Sequence, residues 1–338
     1  GYPWSGSFGR IFEPVTSGSE KMRVSHYPDV DLRDGPRPAV TLGNFDGVHL
    51  GHQRAFELLV SRARALGAPA VALTFEPHPV SVLRPERAPK RILTPELKQE
   101  AVASQSIDHL VVIHFTKEFS QISAEEFVSR VLVEKLRAAE IVLGANFRFG
   151  HGRTGDIESL RKLGERFGFV VYLVEASEYR GEVISSSRIR RSLEEGEVGE
   201  AAAMLGRSYF FDGKIVQGAG RGRLMGFPTA NIEVQGDVLV GDGVYVTEAA
   251  LGGETLPGMT HVGRRPTFGL EDRTVETHLF DFDRDIYGES IRLHFHHRIR
   301  GTVRFSSAEA LEERLRRDRE EARTFLRVLR SGRRNLVL

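Results

Sequence analysis

The 338-residue sequence has no cysteine, one tryptophan and seven lysines. Without cysteine there is no disulfide, no thiolate metal site and no cysteine nucleophile, so an oxidising compartment is not required. Long apolar runs are missing too. Stretches such as Ala70–Leu73 and Leu110–Ile113 fall far short of the ~18 residues of a membrane span, and the first twenty residues hold no apolar segment of a secretory signal. Nor does one charge sign dominate. With 47 Lys+Arg against 46 Asp+Glu the formal charge is +1, which offers no general field for gripping nucleic acid or an anionic membrane. The expectation is a cytoplasmic protein with neither nucleic acid nor membrane as partner; composition sets no oligomeric state. The shortage of lysine reads as coding bias, so arginine clusters carry little weight.

What is present fits two domains, at roughly 150 residues each. Gly1–Lys21, rich in Gly, Ser and Pro ahead of Met22, reads as an appended leader outside the fold. Glycine is plentiful, 35 against 14 prolines, which points to tight turns or close approaches between backbone and ligand.

From Ala39 to about Val174, short apolar runs recur at Ala39–Gly43, Val71–Phe75, Leu110–Ile113, Ile141–Gly144 and Phe169–Val174. Between them lie stretches of helical period, Ala55–Leu66, Ala124–Leu136 and Ile157–Phe167. This alternation predicts a parallel sheet covered by helices, with ligands at the carboxyl ends of its strands. Two short helical pieces in Ser192–Leu205 read as a connection. Beyond Gly206 the runs Tyr209–Gln217, Val238–Val240, Gly243–Leu251, Leu256–Val262, Val275–Phe280 and Ser290–Arg298 are short, β-like and punctuated by glycine, the pattern of an antiparallel barrel or sandwich. Ser307–Arg330 closes the chain as a helix, and its interleaved Glu and Arg over Leu311–Arg323 read as a solvated face.

Several segments carry chemistry. Gly43-Asn44-Phe45-Asp46-Gly47-Val48-His49-Leu50-Gly51-His52 follows the Ala39 strand and opens a helix. Its glycines let backbone approach a polyphosphate, the helix start offers unpaired N–H groups, and His49 and His52 can donate to phosphate oxygens. A zinc pair is the competing reading, but no Glu sits between the histidines and no third ligand is evident. Ile184-Ser185-Ser186-Ser187-Arg188-Ile189-Arg190 offers hydroxyls and a guanidinium one turn on, a second phosphate grip, although serines alone also make an N-cap. Thr74-Phe75-Glu76-Pro77-His78-Pro79 and Asn146-Phe147-Arg148-Phe149-Gly150 end two strands with groups able to hold a flat heterocycle; Phe147 also fits a core position.

In the second half, Gly218-Ala219-Gly220-Arg221-Gly222-Arg223 is a flexible, N–H-lined loop without the Lys-Ser/Thr of a Walker A sequence. Within Gly226-Phe227-Pro228-Thr229-Ala230-Asn231, extended backbone puts Thr229 and Asn231 on one face, where two neutral oxygens suit a phosphate-held Mg²⁺. The same peptide also reads as an ordinary turn initiated by proline. Glu276 and His278 share a strand face; a carboxylate inside a barrel needs a partner or a task, and accepting a hydroxyl proton is such a task. An exposed strand carboxylate is the alternative.

These segments resemble the bifunctional riboflavin kinase/FAD synthetase family of bacteria. Its adenylyltransferase module carries a Gly-x-Phe-Asp-Gly-x-His-x-Gly-His loop, a Phe-Glu-Pro-His-Pro turn, an Asn-Phe-x-Phe-Gly segment and a Ser-Ser-Thr-x-x-Arg motif, with Ser187 here in the place of threonine. Its kinase module is similar at Arg221-Gly222-Arg223, Gly226–Asn231, Gly243-Val244-Tyr245, Arg265-Pro266-Thr267-Phe268, Val275–Leu279, Asp281-Phe282, Asp285–Gly288 and Arg304-Phe305-Ser306. The likeness runs from about Ala39 to Leu326. Departures are His261 for asparagine, Leu224-Met225 for Thr-Leu, and Gly301-Thr302 for Pro-Glu.

After the leader over 1–21, the resemblance implies an α/β chain: a Rossmann-like nucleotidyltransferase domain with a parallel sheet over 22–205, and an antiparallel β-barrel riboflavin kinase domain closed by a terminal helix over 206–332. It implies that His49 and His52 hold ATP phosphates, that Ser186, Ser187 and Arg190 close on them, and that Asn146 and Phe149 seat FMN. Thr229 and Asn231 take Mg²⁺ and ATP, and Glu276 is the base. Gly43, Phe45, Asp46, Gly51, His78, Gly220, Arg221, Gly222 and Gly226 complete the expected binding positions. The implied substrates are riboflavin, FMN and ATP, with FMN and FAD as products. Two rival readings are another adenylyl-transferring enzyme with a His-x-Gly-His loop, against which the Lys-Met-Ser-Lys-Ser signature is missing, and a non-catalytic flavin- or nucleic-acid-binding protein.

Overall fold

The computed structural model describes residues 22–144, 147–218, 226–264 and 273–334. By packing, the chain forms two compact units that meet in sequence between Ser185 and Ser186.

The first unit runs β1 (Arg23–Tyr27), β2 (Ala39–Leu42), α1 (Leu50–Leu66), β3 (Ala70–Glu76), α2 (Pro79–Leu83), α3 (Pro95–Ala103), β4 (His109–His114), α4 (Ala124–Glu126, continuing as a π-helix over Phe127–Lys135), β5 (Glu140–Gly144), α5 (Ile157–Phe167) and β6 (Val170–Val174), then a small hairpin of β7 (Glu178–Tyr179) and β8 (Glu182–Val183). The six long strands are all parallel, in the order β1-β4-β3-β2-β5-β6. Central strands β2, β3, β4 and β5 are apolar runs because helices cover both faces. One core gathers Val40, Leu73, Val111 and Ile141 against Phe127, Val131 and Leu132 of α4 and Leu160 of α5.

The five expected strands are all present. A sixth, β1, lies at the sheet edge beside β4, where His109 Nε2 meets Ser25 Oγ at 2.9 Å. Its polar residues are mostly exposed, so no apolar run marks it. Helix ends follow local chemistry: α1 stops at Gly67 with φ +60°, and Asp156 and Ser159 cap α5 reciprocally.

The second unit contains α6 (Ser186–Glu194), α7 (Val198–Leu205), β9 (Tyr209–Val216), β10 (Ala230–Val234), β11 (Gly243–Leu251), β12 (Glu254–Arg264), β13 (Arg273–Leu279), β14 (Ser290–Arg300) and α8 (Ala308–Arg334). Its strands close into a barrel in the order β10-β13-β12-β11-β14-β9, with antiparallel pairing throughout. Closure removes exposed sheet edges. Helices α6 and α7 pack with this unit: Val198, Ala201 and Met204 are buried, and Leu193 O accepts from Gly241 N. Val238–Val240 is not a strand. It is a buried loop whose Val238 and Val240 carbonyls accept from Arg273, whereas Ala230–Val234 supplies the strand.

Inside the barrel Thr247, Thr260 and Thr277 form a fully buried hydroxyl chain at 2.8 and 2.9 Å. The opposite face presents Val246, Met259 and Phe280 to Ala322 and Leu326 of α8. Only part of α8 is the expected solvated face. Arg316–Glu312 and Arg317–Glu313 are exposed pairs one turn apart, but Asp318 is fully buried and holds Arg300 and Arg314, each at 2.8 Å. Removing one partner of such a group is costly because the other charge stays buried. Among the described residues no helix is long and apolar enough to cross a membrane.

Candidate active sites

In the first unit the chain steps from β2 to β3 and β4 on one side, then returns to place β5 on the other. This reversal makes a crevice at the carboxyl ends of β2 and β5. The loop Gly43–His49 leaves β2 there. His49 caps α1, its Nδ1 accepting from His52 N at 3.4 Å. The His49 and His52 rings stack at 3.6 Å between centroids, and Phe45 meets His52 edge-on at 5.4 Å. Part of the His52 ring reaches solvent, but Nδ1 is sealed from it without a protein partner. Desolvation, then repulsion from His49, holds the His52 imidazole neutral well below its usual range. It therefore acts as a hydrogen-bonding group rather than a fixed charge.

The glycines of this loop make room for its own rings. A β-carbon on Gly43 would lie 2.8 Å from the Phe45 ring, and one on Gly51 would lie 3.2 Å from the His49 ring. Asp46 is buried, and its carboxylate accepts from Ile92 N at 3.1 Å and Leu93 N at 3.3 Å. It pins the segment before α3 to the loop, a role that its place in the motif did not reveal. Glu76 does similar work, joining Arg91 at 2.7 Å and Lys98 at 2.9 Å. His78 caps α2 through Nδ1, which accepts from Val80 N, and its Nε2 lies 3.2 Å from the Asn44 amide. The Asn44 atom at that distance is Nδ2; a neutral ring accepting at Nδ1 carries its proton on Nε2, so a hydrogen bond there requires the amide turned to present its oxygen.

Beside this loop opens a cleft of about 870 Å³, lined by Phe75, Phe115, Phe119, Phe147 and Phe149 with His78 and Gly43 at one end. Phe149 is core and Phe147 half-buried, their rings parallel at 6.0 Å. Arg84, Arg87, Arg148 and Arg153 stand around the same cleft. Arg148 lies in the Asn146–Gly150 segment read from the sequence; Phe115, Phe119, Arg84, Arg87 and Arg153 escaped sequence reasoning because they come from different loops with no shared motif. Asn146 lies outside the described residues. Ser186, Ser187 and Arg190 belong to the second unit, where they begin α6 as the sequence predicts; none of the three is buried.

The second unit carries another constellation. Asn231 of β10 pairs with Glu276 of β13, which pairs with His261 of β12. Period-two alternation puts Glu276 with His278, whose cross-strand neighbour Met259 packs on α8. The carboxylate thus stands on the outside of the barrel, which decides between the two readings of its strand against the inside one; the interior at this level holds the threonine chain. His278 donates from Nδ1 to Pro228 O at 2.8 Å, tying down the peptide that leads to Thr229 and Asn231. Arg319 sits over Phe227 and Arg323 over Phe280. Gly226 has φ +74° with open space around it, so its backbone conformation is what demands glycine. Gly220, Arg221 and Gly222, with Leu224, Met225 and Arg265–Phe268, lie outside the described residues.

Residues 33–188 match the FAD synthetase family model and residues 205–326 the riboflavin kinase model. The bifunctional riboflavin kinase/FMN adenylyltransferase of Escherichia coli K12 is 34% identical over 287 residues, covering 85% of this chain and 92% of its own length. The enzyme of the same description from Pseudomonas fluorescens is 35% identical, covering 87% and 94%. A crystal structure described as a macrolide-efflux protein from Streptococcus pneumoniae superimposes with a TM-score of 0.81 at 31% identity, over 89% of this chain and 99% of that one. Both modules, in the same order and over nearly the full length of these relatives, place the chain in the bifunctional riboflavin kinase/FMN adenylyltransferase family.

Proposed function

We propose that the two units perform successive steps of flavin cofactor synthesis. The barrel unit transfers the ATP γ-phosphoryl group to the ribityl hydroxyl of riboflavin, giving FMN. The sheet unit joins FMN to the α-phosphorus of a second ATP, giving FAD and pyrophosphate. The observation that carries this reading is the joint match of both modules to the chain; the aromatic cleft beside the His49–His52 loop and the Asn231–Glu276 register pair support it.

In the sheet unit the attacking FMN phosphate is already an anion, so no base is needed and catalysis is positioning and charge neutralisation. His49 and His52 donate to ATP phosphates, and Phe149 with its cleft neighbours holds the isoalloxazine. Ser186, Ser187 and Arg190 at the start of α6 keep the hydroxyl and guanidinium chemistry that suits a phosphate. In the barrel unit Glu276 takes the proton of the attacking hydroxyl as the oxygen–phosphorus bond forms and ADP leaves.

Thr229 and Asn231 fit Mg²⁺ as a partial shell. They offer neutral oxygens, and Gly218, where a β-carbon would lie 1.8 Å from the Asn231 amide nitrogen, leaves the Asn231 side chain the room it occupies. Among the described residues no cluster of three His, Asp or Glu side chains suits a metal, and the remaining ligands of such an ion would be nucleotide phosphates. When bound, the ion spreads phosphate charge.

The test is to incubate the protein with riboflavin, ATP and Mg²⁺ and resolve FMN and FAD by chromatography. Both products are expected. In E276A, FMN formation should fall at least about 100-fold while FMN is still converted to FAD; an E276A protein phosphorylating riboflavin at full rate removes the base assignment.

A further inference from the structure

On the α8 side of the barrel one register row crosses five strands: Asn231, Glu276, His261, Val244 and Arg300. Directly opposed residues in such a row have Cβ atoms about 5 Å apart, so the Glu276 side chain leaves its strand between those of Asn231 and His261. The His261 ring lies along its strand over Gly263, where a β-carbon would approach its Cε1 to 2.5 Å and its Nε2 to 2.9 Å. Gly263 therefore leaves the ring the space it occupies on this face.

Among the described residues the charged groups acting on His261 are Glu276 of β13, Asp242 ahead of β11 and Arg300 of β14. The Arg300 charge is already matched by the buried Asp318 of α8. Burial outweighs the attraction of Glu276 and keeps the imidazole neutral, below its ordinary range. A neutral imidazole has one nitrogen lone pair ready to accept a proton.

We propose that His261 is a positioning residue for riboflavin phosphorylation, orienting the Glu276 carboxylate from the neighbouring strand and accepting through it the proton released by the flavin hydroxyl. The proposal rests on Glu276 being the base. The ribityl oxygen forms its bond to the γ-phosphorus as the bond from that phosphorus to the β,γ-bridging oxygen breaks. ADP leaves with that electron pair. The hydroxyl proton passes to a Glu276 oxygen, then to a His261 nitrogen, and from there to water, which resets both side chains.

The experiment compares H261A, H261Q and E276A in the full chain, measuring kcat and KM for riboflavin with and without added imidazole. The FMN-to-FAD rate of each preparation serves as the folding control. In H261A, kcat should fall about ten-fold with KM within two-fold, and imidazole should restore kcat. H261Q, which can hydrogen-bond but not carry the proton, should keep the wild-type KM and the low kcat. An H261A enzyme with wild-type kcat overturns the proposal, as does a loss that glutamine fully repairs or that imidazole leaves untouched. If E276A itself retains full kinase activity, the base reading has failed; if E276A is silent and H261A is normal, only the role of His261 has.

Discussion

The Asn231 side chain rests against the backbone of Gly218 so closely that a β-carbon on Gly218 would lie 1.8 Å from the Asn231 amide nitrogen. Asn231 is in turn the cross-strand partner of Glu276. The start of the glycine-rich loop thus fixes where the amide stands beside the carboxylate. G218A should displace Asn231 and lower kcat/KM of riboflavin phosphorylation about ten-fold or more, since small misplacements are expensive in positioned reactions. FMN adenylylation by the same preparation should be unchanged. Equal kinase kinetics in G218A and wild type would count against this packing.

Asp46 predicts a structural phenotype in the sheet unit. Its carboxylate accepts from Ile92 N and Leu93 N in a buried place, so D46A leaves two amide hydrogens without their acceptor. The expected cost is about 1–3 kcal/mol in unfolding free energy, read by denaturant titration of the sheet-unit transition, with a raised KM for FMN. A D46A protein of wild-type stability would show that the amides find another partner.

His49 and His52 stack at 3.6 Å, so they answer to substitution as a pair. H52N, which keeps a donor, should reduce FAD formation less than H52A, and H49A/H52A should reduce it about 100-fold or more. Riboflavin phosphorylation should persist in all three. Undiminished FAD output from the double variant would remove the phosphate role.

Acid should weaken the barrel unit through His278. Burial is the largest influence on this imidazole and holds its affinity for protons below the ordinary histidine value near 6.5. Between its folded-state pKa and 6.5 the unfolded chain binds more protons, so stability rises with pH there. The contribution is complete above about 6.5 and is lost as pH falls toward the folded-state value. The denaturation midpoint should drop on acidification from pH 7.5 to 5.5, and H278N should flatten that slope by removing the titrating group. An unchanged slope in H278N would assign the effect elsewhere.

The two architectures were legible because each obeys a simple period. Parallel strands buried on both faces read as Ala39–Leu42 and Leu110–Ile113 without interruption, and the barrel strands read through their glycine punctuation. Strand β1 was hidden because edge position lets Arg23, Ser25 and His26 stay polar. Val238–Val240 misled because burial, not pairing, selects its apolar side chains.

Local motifs alone carried the resemblance to the family, both modules, the His49-Leu50-Gly51-His52 loop and the shared face of Glu276 and His278, since these depend on residues close together in the chain. Tertiary structure alone decided which side of the barrel that face occupies, because α8, distant in sequence, covers Met259 and leaves the threonine chain within. It also decided that Asp46 holds backbone amides and that Asn231, Glu276 and His261 stand in one row. Alternation along a strand fixes which residues travel together; only the partner packed against the sheet says where they face.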